Sequence, residues 1–166
     1  MQETKNKTNN NSWAAALLII LFAAVAVAVI SRLDTRSDNT TMIAFEQLAT
    51  KFSDHVTAAH WKWKAEQPTS MIMLVHYNKE GREINRSPVK LSYLGWPMAD
   101  DSEEGCEKIW SYMIAEPMRV DGFRVHADYY EDTDDGATVS WCRYRLSSGE
   151  YFDYFPTTGE VIKAID

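Results

Sequence analysis

The stretch WAAALLIILFAAVAVAVI, residues 13–30, holds no charge and no proline, and its one polar side-chain group is the indole N–H of Trp13. As a helix rising about 1.5 Å per residue it reaches roughly 27 Å, close to the hydrocarbon thickness of a bilayer. A chain with such a segment either lodges it in lipid or loses it on export. Lys5 and Lys7 precede it, and Ala24-Val25-Ala26 and Ala26-Val27-Ala28 fit the small-x-small pattern of a cleaved secretory signal. The run exceeds the roughly 7–15 residues of a signal core, which favours a retained transmembrane helix. Either way, the remainder is expected outside the cytoplasm.

Basic residues flank the run on both sides, Lys5 and Lys7 before it and Arg32 and Arg36 after it, so the charge rule for orientation is nearly tied. The two cysteines, Cys106 and Cys142, both lie downstream and suit an oxidising compartment such as a bacterial periplasm. They are read either as a disulfide or as two buried thiols. The chain carries a formal net charge of −7, and only Glu3, Lys5 and Lys7 precede the apolar run, so the acidity belongs to the part beyond it. That balance argues against nucleic acid as a partner.

Four stretches follow from composition: a polar, Asn-rich tail at 1–12 on the cytoplasmic side, the transmembrane helix at 13–30, a polar linker or solvated helix at 31–41, and one domain at 42–166. In that domain Phe45, Leu48, Phe52, Val56, Ala59 and Trp63 recur at steps of three and four, the stripe of an amphipathic helix. Trp61 points about 200° away from Trp63, at roughly 100° per residue, and so falls off the stripe toward a partner or a second packing surface. MIMLVHY and PVKLSYL read as two strands of a hairpin. Gly95-Trp96-Pro97 makes a structural corner, and Asp101 with Glu104 resembles a capping box ahead of a short helix that turns Cys106, Ile109, Trp110 and Met113 to one side.

The remainder reads as an antiparallel meander of GFRVHADYYE, ATVSWCRYRL, EYFDYF and EVIKAI, separated by Asp-, Ser-, Thr- and Gly-rich turns. In its second strand Cys142 shares a face with Ser140, Tyr144 and Leu146. A bridge to Cys106 would staple helix to sheet, worth about 4 kcal/mol in the chain-entropy model. The fold class expected is therefore α+β: an N-terminal transmembrane helix, then an amphipathic helix packed on an antiparallel sheet.

No catalytic constellation emerges. His55, His60, His76 and His126 fit no metal-ligand spacing and are read as structural or solvated. EDTDDG fails the calcium-loop pattern, because Gly136 as sixth position would put Cys142 twelfth. A thiol enzyme would need a histidine beside Cys142, and His126 is the one candidate. No cofactor, metal or catalytic residue is expected. A secreted binding domain with a cleaved signal remains the alternative to an anchored protein.

AAHWKWKAE, MIMLVHY, LGWP, GCEKIW, GFRVHADYY, WCRYRLSSGEYFDY and TTGEV together, from about Phe45 to Val161, resemble the MshF family of MSHA-type type IV pilus biogenesis systems in gammaproteobacteria. The resemblance implies a pilin-like roll, a single pass through the bacterial inner membrane with a periplasmic C-terminal domain, and work in pilus assembly rather than catalysis. Its implied partners are other pilus assembly proteins or pilins, beside the membrane that holds the helix. Prepilins carry a glutamate at the fifth position of their apolar segment; residues 13–30 contain no acid, so prepilin-peptidase processing is not expected.

Overall fold

The computed structural model describes the backbone of residues 9–67, 70–78, 80–134 and 136–164, and their side chains except at 9–12, 33–39, 134 and 137. It is an α+β protein with an N-terminal apolar helix and two antiparallel sheets. Two compact units divide the chain, Met1–Thr40 and Thr41–Asp166.

Helix α1 is Asn9–Glu66. Its apolar stretch, Trp13–Arg32, is long and apolar enough to cross a membrane, and none of it is buried within the protein. Residues 31–41, read as a linker or a solvated helix, are helical. Asp, Ser and Asn disfavour a helix interior by only about 0.7 kcal/mol or less each, and a helix already nucleated on both sides propagates through them. Of the polar tail, residues 9–12 belong to α1, while residues 1–8 lie outside the described residues.

Within Thr41–Asp166, α1 buries Phe45, Ala49, Phe52, Val56 and Ala59 completely, with Leu48 and Trp63 at the margin of the same stripe. That stripe lies on a five-stranded antiparallel sheet: β3 (Arg119–Val120), β4 (Phe123–Asp134), β5 (Ala137–Leu146), β6 (Tyr151–Phe155) and β7 (Glu160–Ala164), in that order. Phe52 is the hub, with its ring 5.3–5.4 Å from those of Tyr144, Phe152 and Tyr154 and 6.4 Å from that of Trp110. Tilted aromatic contacts of this kind add about 0.5–1.5 kcal/mol each to the burial itself.

A separate two-stranded sheet pairs β1 (Met71–Tyr77) with β2 (Glu83–Lys90). The second strand of this hairpin was expected in PVKLSYL and instead begins at Glu83, carrying Pro88 opposite Met73. Both strands of a two-stranded sheet are edges, so the missing proline N–H costs no ladder bond. The meander strands fall where expected, except that β4 runs on through Asp134. The two-residue β3 has no sequence signature.

Helix α2, Glu103–Ile114, covers the same sheet face beside α1. Its N-cap is Ser102, whose Oγ accepts from the Gly105 N–H at 3.0 Å, so the cap expected at Asp101 lies one residue later. Glu103 and Glu104 occupy the first turn, where the helix dipole favours acids. Gly105 is required there, since a Cβ would sit 1.8 Å from the Asp100 carbonyl oxygen.

Candidate interaction surface

The last turns of α1 and the Gly-Trp-Pro corner form one aromatic assembly. Gly95 adopts φ +80°, and a Cβ there would fall 2.2 Å from the Trp63 ring. Its missing side chain is therefore the seat for that indole as well as the licence for the turn. His60 lies on the face of Trp96, centroids 3.8 Å apart and planes within 10°, and its Nδ1 stands 3.3 Å from the Gly95 carbonyl oxygen. On the other side of the column, a Cβ on Gly159 would meet the Trp96 ring at 2.2 Å. Gly95 against Trp63, Trp63 and Trp96 against His60, and Gly159 against Trp96 thus lock the end of α1 to the corner and to the turn before β7.

Hydrogen bonds pin the corner backbone. Ser92 Oγ accepts from the N–H groups of Leu94 and Trp96, and the Ser92 N–H donates to the Trp96 carbonyl at 2.8 Å. The buried phenol of Tyr154 donates to the Pro97 carbonyl at 2.7 Å. Burial pushes that phenol's pKa well above its ordinary value, so it stays a donor throughout the physiological range.

Trp61 sits beside this platform and is 63% exposed, with the Lys64 ammonium 4.9 Å above its ring. Tyr93, in the corner loop, is 88% exposed. A rigid platform thus presents large aromatic groups to solvent, the composition that anchors protein contacts.

Cys106 and Cys142 are bonded to each other across a sequence separation of 36, joining α2 to β5. The Tyr144 phenol, likewise pushed up by burial, donates to the Cys106 carbonyl at 2.8 Å and fixes the same junction. His126 lies opposite Arg145 in the β4–β5 ladder, while Tyr129 lies opposite Cys142, so no thiol–imidazole pair forms.

His55 and His76, distant in sequence, meet edge to face with ring centroids 5.0 Å apart. Nδ1 of His55 contacts the Met113 carbonyl. His76 is only 2% exposed, and neither of its ring nitrogens has a hydrogen-bond partner. Burial first, and the neighbouring His55 and Lys51 after it, lower its pKa; the Tyr112 backbone, outside hydrogen-bond geometry, offsets this only in part. Alternation along MIMLVHY places His76 inward with Ile72 and Leu74, but nothing in the sequence brings His55 to it.

A cleft of about 200 Å³ opens next to the corner, lined among others by Met98, Asp101, Tyr129, Ser140 and Thr157. Comparisons of the chain with protein-family models, with curated proteins and with solved structures find no match.

Proposed function

We propose that this chain is a membrane-anchored structural or accessory component of MSHA-type type IV pilus assembly. It acts through protein–protein contacts rather than catalysis. In this reading Trp13–Arg32 crosses the bacterial inner membrane once and residues 41–166 work in the periplasm. The Cys106–Cys142 bond suits that oxidising compartment. A helix whose first part is apolar on all sides and whose second part packs on an antiparallel meander is also the plan of a pilin-like roll.

The observation that carries the proposal is Trp61: a largely exposed indole, next to a stacked column of His60, Trp63, Trp96 and two glycines. Ordering such a platform before binding removes an entropic cost from any contact made on it. The test is deletion of the chain in an MSHA-piliated bacterium, imaging of surface pili, and complementation with wild type or Trp61→Ala. Loss of pili in the deletion, rescue by wild type and poor rescue by an equally abundant Trp61→Ala protein are expected. Normal piliation in the deletion strain, with no pilus protein recovered on pull-down, overturns the proposal. A mature amino terminus near Val27 or Val29 by mass spectrometry turns it toward a secreted binding domain.

A further inference from the structure

Among the described residues, no element covers the outer face of the five-stranded sheet, opposite α1 and α2. Its side chains follow from the register: Arg119 on β3; Arg124, His126, Asp128, Tyr130 and Asp132 on β4; Val139, Trp141, Arg143 and Arg145 on β5. Tyr151, Asp153 and Phe155 on β6 continue it, with Glu160 and Ile162 on β7. The middle is held by stacked rings and an ion pair. Trp141 stacks between Tyr130 and Phe155, at 5.4 and 5.9 Å, and Arg143 lies 3.8 Å over the Tyr151 ring while binding Asp153 through two hydrogen bonds of 2.7–2.8 Å. Tyr130, Val139 and Ile162 are exposed.

The two ends of this face carry opposite charge. At one end Arg119 stands directly opposite Arg124, both exposed, and among the described residues no carboxylate pairs with either. Like charges directly across a ladder cost stability unless an anion from elsewhere covers them. Arg145 lies at the same end, held by Asp128 at 2.6 Å. The opposite end carries Asp132 and Glu160, both exposed, and Trp141 and Val139 lie between.

We propose that a second copy of this chain covers this face, related by a two-fold axis lying between the two sheets and perpendicular to their strands. That operation reverses strand direction, lays β4 on β4 and brings the unpaired Arg124 of each copy to the acidic end of the other, as an isologous dimer requires. With the axis at Asp128, Arg124 of one copy meets Asp132 of the other, and Arg145 lies over Trp141. Five strands about 4.8 Å apart and about six residues long give a footprint of roughly 500 Å² per copy. The total of about 1,000 Å² is at the low end of specific interfaces, so the dimer is weak and depends on its charge pairs. This association uses a different surface from Trp61 and holds or fails independently of the pilus reading.

The test is sedimentation velocity of the full chain in a mild detergent over a concentration series, with circular dichroism of each variant as a check on folding. Wild type is expected to shift from monomer to dimer. Arg124→Glu and Asp132→Arg, both at exposed positions, each break two symmetry-related pairs and weaken dimerisation roughly tenfold. The double variant restores it to within a few-fold of wild type, because the swapped charges meet again. A wild type that stays monomeric at the highest concentration overturns the proposal. So does a dimer indifferent to the single changes, as one held by the apolar helices alone would be, and so does a double variant weaker than either single.

Discussion

Two stretches of one helix, residues 13–32 and 41–66 of α1, distribute their apolar side chains in different ways. The first has apolar side chains all round and buries none of them in the protein; the second confines them to a stripe and buries Phe45, Ala49, Phe52, Val56 and Ala59 completely. An all-round apolar helix is at home only where every direction is greasy, whereas a striped one needs a single surface to lie on. The same backbone geometry therefore serves lipid or protein according to how side chains are distributed around it.

The hardest break to that contrast is Phe52→Ala, which empties the hub of the striped half. A loss of about 3–5 kcal/mol in urea unfolding followed by tryptophan fluorescence is expected. Next is removal of the bridge that holds the covering surface together: Cys106→Ala with Cys142→Ala should cost about 4 kcal/mol, and reductant added to wild type should approach the same unfolding midpoint. In the other half, Leu21→Arg should leave the unfolding of residues 41–166 unchanged yet disfavour insertion by about 3 kcal/mol, read as protein moving from the membrane to the soluble fraction.

A subtler test uses His76, against which His55 of the striped half packs. Its folded pKa is lowered below the ordinary 6.5, so the unfolded chain binds the proton first. Stability is then full above about pH 6.5 and falls as pH drops from there toward the folded pKa. His76→Leu should flatten that acid limb in unfolding curves taken at successive pH values. The smallest effect is Trp61→Ala, expected to change stability by no more than about 0.5 kcal/mol because the indole is largely exposed, while altering partner capture.

What could be read in the sequence were the features set by local periodicity. The α1 stripe, the extents of β1 and β5, and the inward direction of Cys142 all follow from steps of 3.6 or 2. The second hairpin strand is hard to locate from sequence because EINRSPVK is mostly exposed and its first half lacks the alternation that marks a half-buried strand. Helical continuity through residues 31–41 is not legible because composition there favours caps and turns, while propagation from both sides prevails. At the candidate surface, Trp61 was placed off the stripe from its angle alone, and Gly95-Trp96-Pro97 was recognised as a corner. That Trp96 would stack on His60, and that Gly159 would be the seat for its indole, depends on contacts far apart in sequence.

The bond between Cys106 and Cys142 also has a mechanical meaning for a force applied between the two ends of the chain. Pulled from its two ends, the polypeptide transmits load across the sulfurs, and α2 from Cys106 onward, β3, β4 and β5 as far as Cys142 lie inside the bypassed loop. At about 3.4 Å per extended residue, the loop withholds roughly 120 Å of contour length from any stretching force. Tension is then borne by α1, the first hairpin, the corner and the last strands, with the middle of the domain shielded until a reductant opens the shortcut.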